Sequence, residues 1–183
     1  MLTHYSYQEL SEIWLLKKGH IPLRTDTSLS RVDGYNLADL LQLEINQWYL
    51  SLLDSAPLDM LPVVSVATDV KNLTVSDGIV TFDLPARCRR PVAVKLADWR
   101  VAATPFSASD NPRLANLQQS VYTRGGACHP VAIIEGRKLI LYSTSAAAPV
   151  LEQLDAVVEP AEGDYVLDPS LLSTIPDFIN QNF

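Results

Sequence analysis

NLTVSDGIVTFDLP, residues 72–85, reads as two short strands folded about a turn. Leu73-Thr74-Val75 and Ile79-Val80-Thr81-Phe82 are the β-type runs. Between them, Ser76-Asp77-Gly78 reads as a three-residue hairpin connection with glycine at the left-handed position. This stretch lies just beyond a change of pattern near residue 60. Before it the apolar residues recur at helical intervals, and after it they fall into short β-type runs that begin at Val63–Thr68. The order of elements therefore predicts an α+β chain: N-terminal helices, a mainly antiparallel β region with hairpins, and a short C-terminal helix.

Downstream, Val92–Trp99 predicts a strand in which Val92, Val94 and Leu96 alternate against Ala93, Lys95 and Ala97. Thr104–Pro112 is a polar loop, where Asp110 is expected to cap a brief helix begun by Pro112 and running through Leu117. Val131–Ile134 and Lys138–Tyr142 enclose Glu135-Gly136-Arg137 as a second hairpin. Val150–Val158 fits a helix or a strand. Leu171, Ile175 and Ile179 carry helical spacing, which Pro176 interrupts.

Upstream, Ser6-Tyr7-Gln8-Glu9 has capping-box spacing, and Tyr7, Leu10, Ile13 and Trp14 follow at helical intervals up to Lys17. Asn36 is a good cap for a second helix over Leu37–Ala56, with Leu37, Leu41, Ile45, Trp48 and Leu52 along one stripe. Leu40, Leu43, Leu50 and Leu53 broaden that stripe, so the helix needs cover on two sides. The cover is either the chain's own β region or another subunit. The chain reads as one domain over 1–183, with a helical part at 1–60 and a β-rich part at 61–160 that includes a variable loop at 104–130. A C-terminal segment follows at 161–183.

Composition narrows the function classes. Fourteen Lys and Arg stand against 21 Asp and Glu, a net charge of −7 in 183 residues. A field of that sign repels nucleic-acid phosphates and disfavours sequence-independent binding to DNA or RNA. Apolar residues make up 48%, ample for a core, while charged residues at 19% fall below the roughly 25% of soluble domains. No run approaches the roughly 18 apolar residues of a membrane span, and Met1–Gln8 lacks a signal-peptide pattern, so no membrane association and a cytoplasmic site of synthesis are expected.

The chemistry-bearing residues are sparse. Cys128-His129 follows Gly125-Gly126, whose freedom would allow a tight loop; with Asp110 as orienting acid it is the one nucleophile–base arrangement to weigh. His20 is the other candidate base. Cys88, Cys128, His4, His20 and His129 show no paired metal-ligand spacing, so neither a metal nor a cofactor is expected. Arg87, Arg89 and Arg90 form a basic cluster suited to a partner's carboxylates or a phosphate, or else a solvated turn. Trp14, Trp48 and Trp99 read as core anchors, and Trp48 lies on the broad helix that a neighbour would cover. Phe178, Ile179 and Phe183 sit on a piece too short to be a stable helix alone, which suggests an interaction arm over Asp168–Phe183. No catalytic residue is assigned, and the chain reads as a non-enzyme.

DGIVTFDLP (Asp77–Pro85), GRKLILYS (Gly136–Ser143) and GDYVLDPSLLSTIPDFI (Gly163–Ile179), in an order led by two helices, resemble the head–tail adaptor, or neck ring, proteins of tailed bacteriophages. The resemblance spans most of Leu37–Phe183; the family's first helices are often longer than Tyr7–Lys17. It implies a structural virion protein at the neck, assembled in the host cytoplasm. It also implies a homo-oligomeric ring with portal or tail components as partners, and no cofactor. An acidic lumen would let DNA pass without sticking. Two other functions stay open: a small hydrolase or transferase with Cys128 as nucleophile, and a monomeric protein-binding adaptor domain.

Overall fold

The computed structural model describes residues 1–18, 37–160 and 163–176. In chain order the elements begin with β1 (Thr3–Ser6), α1 (Tyr7–Lys17), α2 (Leu37–Ser55), β2 (Val63–Ser65), β3 (Thr74–Ser76) and β4 (Ile79–Asp83). They continue with β5 (Cys88–Leu96), β6 (Phe106–Ser107), α3 (Pro112–Leu117), β7 (Val131–Glu135), β8 (Lys138–Tyr142), β9 (Leu151–Val158) and β10 (Asp164–Leu167). A 3-10 helix at Pro169–Thr174 closes the described chain. The class is α+β, with sheets that are antiparallel except for β6 beside β7. The chain divides into two compact units, Met1–Pro62 with Glu159–Phe183, and Val63–Val158.

Among its described residues, the first unit is helical with a two-stranded ribbon. Ser6 and Glu9 cap α1 reciprocally: Ser6 N–H donates to Glu9 Oε2 at 2.8 Å, and Glu9 N–H donates to Ser6 Oγ at 3.3 Å. The Ser6 N–H and the Ser6 hydroxyl, which also donates to Glu9 Oε2 at 2.8 Å, hold the Glu9 carboxyl below its ordinary pKa. Leu10 and Trp14 are the buried face of α1, and Trp14 meets Trp48 of α2 edge-on at 5.6 Å. On α2 the buried stripe is Ile45, Trp48, Tyr49, Leu52 and Leu53, whereas Leu40 and Leu43 are exposed. The broad apolar helix thus has its covered face in its C-terminal half.

The remaining cover comes from the far end of the chain. β1 pairs antiparallel with β10, from Thr3 against Leu167 to Ser6 against Asp164. Tyr49 Oη donates to the Val166 carbonyl at 3.0 Å and accepts from the Val166 N–H at 3.1 Å. Its ring meets that of Tyr165 edge-on at 5.1 Å. Leu171 and Ile175 are buried, and Trp48 Nε1 donates to Thr174 Oγ1 at 3.1 Å. Leu171 and Ile175 are thus tied to their own unit, while Pro169, Ser170, Ser173 and Thr174 stay exposed. The rest of the expected interaction arm, residues 177–183, lies outside the described residues.

The second unit stacks two sheets, ordered β2-β9-β5 and β3-β4-β8-β7-β6, whose buried side chains join in one core. Val80 opposite Leu141 and Phe82 opposite Leu139 place four of these on facing positions of β4 and β8. Both hairpins are one residue tighter than their sequences suggest. Ser76 pairs with Ile79, which leaves Asp77 and Gly78 at φ of 51° and 72° in a two-residue turn. Two left-handed residues give the turn whose twist matches the strands, and aspartate tolerates that conformation. Likewise Glu135 pairs with Lys138, and Gly136 takes the positive φ of 61°.

Two further expectations shift. The cap of α3 is Asn111, whose Oδ1 accepts the Leu114 N–H at 3.1 Å, while Asp110 accepts from Ser107 N–H inside the preceding loop. β5 begins at Cys88, before the expected Val92, and its pairing with β9 slips at three places. One slip lies between Cys88 and Arg90, which leaves Arg89 as an extra residue.

Candidate functional site

The loop between β5 and β7 gathers the chemistry singled out from the sequence. Gly125 sits where a Cβ would come 2.3 Å from the His129 carbonyl oxygen, so only glycine fits. Gly126 follows at φ +67°, and its carbonyl accepts from the His129 N–H at 3.2 Å. The tight turn presents both Cys128 and His129 at the surface, with Cys128 a free thiol. They border an open pocket of about 410 Å³, whose other walls include Val101, Ala103, Leu114 and Gln118. Asp110, the acid weighed as their orienting partner, closes its own turn on Ser107 instead. The pocket mixes apolar walls with Thr104, Gln118, Thr123, a thiol and an imidazole.

Cys88 is the opposite case. It is buried in the core of the second unit, and burial pushes its thiol pKa up against the pull of Arg137. Arg137, at the tip of the β7–β8 hairpin, donates from Nη2 to the carbonyls of Leu84, Pro85 and Ala86 at 3.2, 2.6 and 3.2 Å. One guanidinium thereby satisfies the main chain where Pro85 breaks the strand.

The arginine cluster lies at the start of β5, with Arg87 and Arg89 exposed. Arg87 pairs with Asp69, at 2.7 Å from Nη2 and 2.9 Å from Nε. Arg89 is exposed at the β5 bulge, and Arg90 is half-buried in the same strand. Trp48 is covered by its own unit, as described above. Phe178, Ile179 and Phe183 lie outside the described residues, as does His20. His4 is exposed, with Nδ1 3.5 Å from Asp164 across the β1–β10 ribbon. Among the described residues no group of three or more His, Cys, Asp or Glu is placed to hold a metal ion, and no helix is long and apolar enough to cross a membrane.

One feature had no signal in the sequence. The turn Val121–Thr123 after α3 leaves Tyr122 98% exposed and Val121 65% exposed. The turn is firmly held: Thr123 Oγ1 donates to the Leu117 and Ser120 carbonyls, and Arg124 Nε donates to the Gln118 carbonyl at 2.9 Å. A tyrosine and a valine in a polar loop look like any loop residues until the hydrogen bonds around them are known. No family model matches the chain, and no curated protein does.

Proposed function

We propose that this chain is a structural assembly protein, a ring-forming head–tail adaptor or neck component of a tailed phage or prophage. The observation that carries the reading is the placement of the two hairpin stretches behind the resemblance. Residues 77–85 and 136–143 supply β4 and β8, which are direct antiparallel neighbours from Ile79–Tyr142 to Asp83–Lys138. The third stretch supplies β10 and the 3-10 helix, which join the N-terminal helices in one unit. The partners are further copies of the chain and portal or tail proteins, and the place of action is the virion neck. DNA would pass through the ring without sequence-specific contact, aided by the net charge of −7.

The test has two arms. The purified chain is imaged by negative stain and weighed in solution over a concentration series. A closed ring of uniform copy number supports the proposal, whereas a persistent monomer favours the adaptor-domain alternative. Genome context is the second arm: a gene beside portal and capsid genes fits, and one lying among metabolic enzymes counts heavily against the proposal.

A further inference from the structure

In the second unit Leu117, Val121 and Tyr122 are 40, 65 and 98% exposed, three large apolar side chains within six residues of chain. Val101, 48% exposed, and Thr123 both line the adjoining pocket. Arg113 is exposed on α3 one turn before Leu117, on the same face. The surface is thus apolar with a cationic edge.

Its backbone is already ordered. Besides the bonds from Thr123, Arg124 reaches from Gln118 to the Asp77 carbonyl, and its guanidinium lies 5.6 Å from the Tyr142 ring centre. A tyrosine held out on a pinned turn loses little entropy when it is covered, which is the property of an interface anchor.

The distribution of charge says what covers it. The second unit, Val63–Val158, holds ten Lys and Arg against eight Asp and Glu. The first unit holds four against thirteen, so the −7 of the chain divides into +2 and −9. On the first unit Leu16 and Leu43 are 60 and 53% exposed, with exposed Glu12 and Asp39 four residues before them on the same helix faces. Apolar residues with an acidic edge complement apolar residues with a cationic one.

We infer that the Leu117–Tyr122 turn is the surface by which one copy engages the exposed apolar residues of the acidic first unit, Leu16 or Leu43, of a second copy. The contact is heterologous, since each copy offers a different face to either neighbour. It deepens the assembly reading above and rests on its premise that copies associate.

The full-length chain is weighed by light scattering over a concentration series, as wild type, Tyr122→Ala, Val121→Asp and the control Val150→Ala. Tyr122→Ala and Val121→Asp are expected to weaken self-association about tenfold or more, while the thermal midpoint and Val150→Ala stay as wild type. Raising salt from about 0.05 M to about 0.5 M is expected to weaken wild-type association by screening the charge contrast. A photo-crosslinker at position 122 should capture peptides from residues 1–62 of another copy. Capture confined to residues 63–158, or wild-type association that ignores both variants, overturns the inference and leaves the ring reading standing. Association through this turn that stops at an open dimer upholds the inference and removes the ring. A wild type that stays monomeric throughout overturns both.

Discussion

Arg124 donates from Nη1 to the main-chain oxygen of Asp77 at 2.6 Å, across 47 residues of chain. The bond fastens the long β5–β7 loop to the tip of the β3–β4 hairpin. It exists because Asp77 and Gly78 both turn left-handed, in a two-residue connection.

Replacing Arg124 by alanine removes this bond, the bond to Gln118 and the contact with Tyr142. We expect a loss of about 1–2 kcal/mol in urea unfolding, with much faster proteolysis between residues 117 and 124. Arg124→Lys should recover only part of both, since an ammonium lacks the fork that reaches two carbonyls. Unchanged proteolysis in Arg124→Ala would show that the loop is held by other contacts.

Tyr49→Phe tests how α2 is bolted to β10. The hydroxyl both donates to and accepts from Val166, so its removal leaves two main-chain groups short of a partner. The expected cost is about 1–3 kcal/mol, read as a fall in the denaturation midpoint. A neutral outcome would mean that water replaces the hydroxyl.

Gly125→Ala should destabilise by about 1–3 kcal/mol, because its Cβ would meet a backbone oxygen at 2.3 Å and the loop must shift. Gly136→Ala has no atom within 4 Å and carries only the left-handed cost of about 1–2 kcal/mol. Comparing the two variants in thermal unfolding separates crowding from conformation. If they cost the same, the contact at Gly125 relaxes freely.

The two thiols should behave differently toward an alkylating reagent near neutral pH. Cys128 is exposed and reacts in the native state, whereas Cys88 is protected until the chain unfolds. Reaction of Cys128 at an ordinary thiol rate would remove the main support for a hydrolase, since an activated nucleophile reacts faster. For Cys88 the raised pKa means that the folded state keeps a proton which the unfolded state releases. Its contribution to stability is complete below the unfolded thiol pKa of about 8.5 and fades as pH rises through the folded value. As pH rises above about 8.5, wild type should lose stability more steeply than Cys88→Ala. Parallel profiles would contradict that linkage.

Particular residues show how far local pattern reaches. Ser6 and Glu9 announced their capping box because both partners lie within one turn, and α1 runs over the expected Tyr7–Lys17. Val150–Val158 stayed ambiguous because β9 lies between β2 and β5 and is buried through Ala156, Val157 and Val158. A strand covered on both faces loses the alternation that marks it. The partner of Arg87 was out of reach for a related reason: Asp69 lies 18 residues away, which no local pattern could show.

The sequence by itself determined the α+β class, the two hairpins and the helix-then-strand order, because periodicity, caps and turn residues act over fewer than about ten positions. Only the tertiary structure decided that β1 and β10 pair, with Thr3 against Leu167, and that Tyr49 bonds to Val166. Only it buried Leu171 and Ile175 and left Tyr122 exposed. Pairings between distant residues depend on which surfaces can be buried together, and burial belongs to the whole fold instead of any one segment.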